Sequence, residues 1–225
     1  MIRLAKLTEP EVLRNHGEEW TRALLEKIGK GEKPTATEAS RYRHPDIKSA
    51  IIEETHGKCA YCESKLRHIH HGDVEHIYPK SLDETKRFQW SNLTLACEIC
   101  NQNKSNKDPK TEHIIDPYEV DPDQHILFVG PLIFPKGTSQ GQSTTVLLDL
   151  NRAELVERRK EKLSQIMASY NTVFQSNLPD ATKKAILANI KANDASSTAA
   201  YTAMARALIQ QMECKLPKEL EEASH

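Results

Sequence analysis

The chain has 225 residues, 38% of them hydrophobic, with a formal net charge of −1 and a mean hydropathy of −0.63. That length can bury a core without disulfide staples, and no stretch has the about 20 uncharged apolar residues of a membrane helix. A near-neutral chain does not hold nucleic acid by bulk charge, so such a ligand would need a local site or a surface lent by a partner.

In chain order, residues 1 to about 30 read as helical, with Val12, Leu13, Trp20, Leu24, Leu25 and Ile28 near a 3.6-residue period. The first twenty residues lack the continuous apolar core of a signal peptide, so the chain is expected in the cytoplasm. Residues 29–40, GKGEKPTATEAS, read as a loop. A second helix is expected to start at Pro45, a favoured first helical position, and to end at Gly57. Residues 57 to about 112 are dense in Cys, His and Asn. Beyond them, IIDPYEVDPDQHILFVGPLIFPKG predicts two or more short strands and STTVLLDL another. Asn151 with Glu154 reads as a helix cap and its reciprocal partner. Helices follow over 152 to about 170, 179–192 and 196–213. Leu155, Leu163, Ile166 and Tyr170 form the stripe of the first, and Tyr201, Met204, Leu208 and Met212 that of the last.

Four of the five cysteines fall in two pairs, Cys59-Ala-Tyr-Cys62 and Cys97-Glu-Ile-Cys100. In a reducing compartment such pairs point to metal rather than disulfides. Two tight turns of two thiolates each can close a tetrahedral Zn²⁺ site with no open position, which makes that zinc structural. No βαβ pattern surrounds either pair, which argues against a thioredoxin-like redox role. Cys214 reads as a semi-buried residue at a helix end, without a role. The run His68 to His71 reads as a loop rather than a metal site.

Between and after the pairs come Glu75-His76, Asn92-Leu93 and Cys97-Glu98-Ile99-Cys100-Asn101, with Lys104 last. This order resembles the HNH endonucleases of the ββα-metal fold. The resemblance implies an α+β protein: a small ββα-metal core with a four-cysteine zinc site, flanked by N-terminal and C-terminal helices. It implies that His76 is the general base that deprotonates water, a task suited to neutral imidazole. Glu75 and Asn101 would offer oxygens to one catalytic Mg²⁺ or Mn²⁺, and Asn92 would hold the His76 loop by hydrogen bonds. Lys104, Lys107 and Lys110 would lie beside the nucleic-acid phosphates. Neighbouring strand residues point to opposite faces, so Glu75 and His76 can share a site only where the strand ends or twists; Pro79 makes an end nearby plausible.

The wider chain, through GKCAYCES, DVEHIYPKS, WSNLTLACEICNQNKSNKDP, IIDPYEVDP and LDLNRAELVERRKEKL, is similar to the HNH proteins of bacterial anti-phage defence found in Septu-type systems and beside some retrons. That likeness implies a hetero-oligomer with an ABC or SMC-like ATPase, and in some systems a retron reverse transcriptase with its DNA. The expected substrate is DNA, with 5′-phosphate and 3′-hydroxyl products. The alternatives are an RNA such as tRNA, or an inactive zinc-ribbon binding module. The expected divisions are an N-terminal helical segment 1–56, the nuclease core 57–112, a short-strand extension 113–150 and a C-terminal helical lobe 151–225.

Overall fold

The computed structural model describes residues 1–66 and 72–221. The histidine run at 68–71 lies outside the described residues. Helix α1 spans Glu11–Gly29, shorter than the sequence suggests. Residues 1–10 are not helical; Pro10, itself extended at φ −57° and ψ 141°, stands as the N-cap and disfavours helical geometry in the residue before it. Leu13, Gly17 and Leu24 line the buried face of α1, and Trp20 packs edge-on against Phe88. The expected loop at 29–40 contains a four-residue helix, α2 (Ala36–Ala39), closed by a reciprocal cap between Thr35 and Glu38. Helix α3 (Pro45–Glu54) begins at its proline as expected and buries Ile47 and Ile51. His56 and Gly57 then turn the chain through positive φ, 54° and 67°.

Two strands follow, β1 (Asp73–His76) and β2 (Leu93–Ala96), antiparallel with Glu75 opposite Thr94 and His76 opposite Leu93. Helix α4 (Glu98–Lys104) packs on β1 and completes a ββα unit. A hairpin comes next, β3 (Ile126–Val129) with β4 (Leu132–Pro135).

The strand expected at 143–150 is instead helix α5 (Ser139–Leu147) with a following turn. The Thr138 side chain accepts from the Gly141 amide and caps the helix, and Gly141 presses so close to His125 that a Cβ there would sit 2.1 Å from its carbonyl oxygen. Capping and tight packing override the β preference of Thr144, Thr145 and Val146. Buried Thr144 then accepts the Ile115 amide at 2.7 Å. Asn151 is not a helix cap either: α6 (Ala153–Gln175) starts after Arg152 with no side-chain cap, and the Asn151 amide serves β4. Helix α7 spans Asp180–Asp194. Helix α8 (Thr202–Glu213) starts six residues later than predicted, after Tyr201 at φ 56°, and α9 is Lys218–Glu221. Cys214 is exposed rather than semi-buried.

Two apolar clusters hold these elements. The first joins α1, α3, the ββα unit and the hairpin, and takes in Leu155, Tyr201 and Met204 from the C-terminal helices. The second lies among α6 to α9, around Ile166, Tyr170, Leu187, Ile190 and Ile209. Among the described residues, no helix is long and apolar enough to cross a membrane.

Candidate active site and metal centre

Helix α4 carries two different chemistries at its two ends. At its N-terminus, Cys97 and Cys100 meet Cys59 and Cys62, with all four sulfurs within 4.8 Å of one another. The Sγ atoms of Cys62 and Cys97 are 3.8 Å apart, roughly the edge of a tetrahedron of sulfurs built on 2.3 Å zinc bonds. Cys97 also caps α4, its sulfur accepting from the Cys100 amide. The Arg152 guanidinium lies 3.7–3.8 Å from the Cys97 and Cys100 sulfurs, a position suited to balancing the negative charge of four thiolates. The donor set is all sulfur, buried around its centre and closed, which fits a structural zinc. Arg152 was not found by sequence reasoning, since nothing in its spacing ties it to the cysteines.

At the other end, α4 faces β1. Asn101 Nδ2 donates to Asp73 Oδ2 at 3.1 Å, which turns the Asn101 oxygen to other partners. Lys104 was expected beside phosphates, yet the structure places it at 0% exposure. Its ammonium pairs with Glu75 Oε1 at 2.9 Å and donates to the His76 carbonyl at 2.9 Å. Lys107 donates back to the Asn103 carbonyl at 2.8 Å, and Lys110 is exposed. Burial raises the Glu75 carboxyl above its usual range, and the Lys104 charge opposes that rise.

His76 is the last residue of β1, so the strand ends where the two neighbouring side chains must share a space. Both line a cleft of about 200 Å³ together with Lys80, Arg87, Asn101 and Ser105. The His76 ring is held on two sides. Nε2 lies 2.9 Å from the Arg87 carbonyl, and the Tyr42 ring stands edge-on with centroids 4.6 Å apart. A carbonyl only accepts, so Nε2 carries the proton and Nδ1 is the basic nitrogen. Burial, then the nearby Lys80 charge, keeps the imidazole neutral by pushing its pKa down to about 3.

Asn92 stands behind this loop. Its Oδ1 accepts from the Tyr78 amide at 2.7 Å, and Nδ2 donates to the carbonyls of Tyr78 and Lys86 at 3.0 and 3.1 Å. Its own carbonyl accepts from the Ile77 amide. Four bonds thus tie the end of η-turn 90–92 to the segment that follows His76. Arg87 is itself fixed, by two bonds to Glu84 at 2.6 and 2.7 Å and one to the Ala39 carbonyl. Tyr42, Lys80 and Arg87 escaped the sequence reading: Tyr42 acts from outside the motif, Arg87 acts through its main chain, and Lys80 is not one of the residues the motif's order marks. Lys80, four residues after His76, could have been suspected from position alone.

A larger groove, about 1010 Å³, runs along α1 beside Leu13, Gly17, Thr21 and Phe88. It shares no lining residue with the His76 cleft, so size does not mark the chemistry here.

Comparison with known proteins agrees with this geometry. Residues 59–107 match the HNH endonuclease family. The chain is 30% identical over 155 residues to the Septu protein PtuB of Bacillus thuringiensis, an alignment covering 68% of this chain and 56% of that protein. It is 26% identical over 203 residues to the Septu protein PtuB of Bacillus mycoides strain KBAB4, covering 74% and 68%. The first alignment thus spans little more than half of its relative. Residues 59–107 therefore form an HNH endonuclease domain, in a chain homologous to the Septu protein PtuB.

Proposed function

We propose that the chain is a divalent-cation-dependent endonuclease that hydrolyses phosphodiester bonds, with DNA as its substrate, and that it works beside an ABC or SMC-like ATPase in a Septu-type anti-phage defence complex. The observation that carries the catalytic reading is the fixed tautomer of His76: Nε2 is committed to the Arg87 carbonyl, and the ring lines a cleft shared with Glu75 and Asn101. The defence setting and the partner are carried over from the likeness to the Septu proteins.

In this reading, His76 Nδ1 accepts a proton from the attacking water. Tyr42 and the Arg87 carbonyl keep the ring aimed, and Asn92 holds the loop between them. Glu75 and the oxygen of Asn101 are the ligands for a hard cation, Mg²⁺ or Mn²⁺, as their donor atoms suit. When bound, that cation supplies polarisation of the phosphate and charge stabilisation for the leaving oxygen. Lys104 has a positioning role: it orients Glu75 and the main chain of His76 rather than touching substrate. Lys80 is the cation at the cleft that meets phosphate.

The test is nicking of supercoiled plasmid with and without Mg²⁺ or Mn²⁺, by wild type and by His76→Ala, each alone and with the ATPase. Zinc content is measured in both proteins. Cation-dependent nicking that disappears in a zinc-loaded His76→Ala protein supports the reading. Nicking that survives in that protein removes His76 as the base. Cleavage of tRNA but not plasmid replaces DNA by RNA as the substrate.

A further inference from the structure

A bound strand needs cations for its phosphates, and two lysines expected to supply them do not: Lys104 is buried on Glu75, and Lys107 bonds back to Asn103. A chain of net charge −1 has no bulk positive field to replace them. Of the two cations that line the cleft, Arg87 is held by Glu84, which leaves Lys80.

A short segment outside residues 59–107 offers more. The 3₁₀ turn Arg41–Arg43 lies between α2 and α3 and buries only Tyr42, whose ring stands edge-on to His76. Such a helix has about three residues per turn, so burying the middle side chain sends its two neighbours to either side. The Arg43 guanidinium lies 5.4 Å from the centre of the Tyr42 ring, and Lys80 Nζ lies 5.4 Å from the same centre. Both cations thus stand one aromatic ring away from the His76 imidazole. Arg41 leans over Trp20 of α1, 5.4 Å from the centre of that ring.

These three cations touch rings rather than carboxylates. Among the described residues, none of their side chains forms an ion pair or a hydrogen bond, whereas neighbouring cations do: Lys27 with Glu38, Lys86 with Asp83 and Arg87 with Glu84. Of the other acids close in the chain, Asp46 faces His44. An aromatic face holds a guanidinium in place without using its N–H donors, which stay free along its edge for a phosphate. Arg43 is exposed, and Arg41 and Lys80 are half-buried, so all three reach solvent.

We propose that the turn Arg41–Arg43 is a backbone clamp for the nucleic-acid strand cleaved at His76. Arg43 and Lys80, gathered on Tyr42, bind the phosphates beside the scissile one, and Arg41 on Trp20 binds another. Such contacts fix a strand's register without reading its bases, so the clamp adds affinity and no sequence preference. The inference rests on the reading that the cleft hydrolyses phosphodiesters.

The test is binding of a fluorescent DNA duplex by the zinc-loaded full chain over a range of salt, with and without the ATPase subunit, and with tRNA run beside it. Mg²⁺ and Mn²⁺ are left out so that the strand stays whole. Arg41→Gln and Arg43→Gln are each expected to lower the slope of log affinity against log salt by about 0.9, the loss of one phosphate contact on a duplex. Arg43→Lys keeps the slope, because the charge stays. Lys184→Gln on α7 removes an equal charge elsewhere and leaves the slope unchanged. In cleavage assays the two glutamine variants raise KM more than they lower kcat, while zinc content and melting temperature hold. Unchanged slopes in both glutamine variants, with wild type still binding and nicking, overturn the clamp and leave the nuclease reading standing. The slope loss on tRNA, with no binding of the duplex, keeps the clamp and makes the strand RNA. A wild type that binds and cleaves neither overturns both.

Discussion

The two ends of α4 show how one seven-residue helix can serve stability and chemistry at once. Its first turn supplies two sulfurs to a closed, all-sulfur cluster, and its last turn meets an oxygen-rich cleft with one basic nitrogen. Cysteine thiolates suit a zinc that keeps no open position, and carboxylate and amide oxygens suit a hard cation that keeps its waters. The difference teaches that one helix ties the position of the cleft to that of the cluster. Fixing Cys100 leaves Asn101 and Lys104 little freedom of position against β1.

The comparison breaks most severely at the cluster. Zinc-site binding is worth about 10–16 kcal/mol in small domains, as much as a whole domain's net stability. Chelation, or Cys100→Ser, is therefore expected to abolish the folded ββα unit; circular dichroism and zinc analysis would check this. A chelated protein that keeps its melting temperature would show the cluster to be dispensable. At the other end, His76→Ala should cut cleavage about 10²–10⁴-fold while zinc and fold persist, as for loss of a general base. Equal loss of zinc and activity would make the two ends one structural unit.

Lys104 tests the link between the ends. Lys104→Met removes one partner of a buried ion pair, at a cost of about 3–5 kcal/mol measured by denaturant unfolding. A stability change near zero would show that the Glu75 pair is not formed. Asn92→Ala leaves a buried amide and two carbonyls short of partners, for about 1–3 kcal/mol and a looser cleft. Its zinc content should be unchanged, so the loss should fall on cleavage rather than on the cluster.

The smallest effect belongs to a network that reaches β2 at Thr94, the residue opposite Glu75. Tyr118 donates to Glu54 at 2.5 Å and lies 2.8 Å from the Thr94 hydroxyl. Burial, then the Glu54 charge, raises its pKa above 10. The folded state therefore holds that proton where the unfolded chain has lost it, and the contribution is complete below pH 10 and declines as pH rises beyond it. Wild type should lose more stability above pH 10 than Tyr118→Phe does. Parallel pH curves for the two proteins would remove Tyr118 from the account.

Much of the site was legible because its chemistry is written locally. Cysteine pairs two residues apart and the order Glu75-His76, Asn92, Asn101 are short-range signals, and the structure brings Glu75, His76 and Asn101 to one cleft. The helices at 45–54 and 153–175 were legible from Pro45 and from the stripe of Leu155, Ile166 and Tyr170. The misreadings have a common cause. Residues 144–146 are all β-branched, yet Thr138 caps them into a helix. Asn151 stands in sequence like a helix cap, yet its amide is taken up by β4, 18 residues away. Lys104 reads as a surface cation, yet it is drawn inside by Glu75.

The sequence by itself determined the four clustered cysteines, the imidazole and the kind of fold that would unite them, since these depend on residue type and near spacing. Only the tertiary structure decided the direction of each side chain: which nitrogen of His76 is free, which way Lys104 turns, and which strand the Asn151 amide serves. Those outcomes depend on partners distant in the chain, such as Arg87, Glu75 and Asn151, and a buried polar group takes whichever partner the packing brings within hydrogen-bond reach.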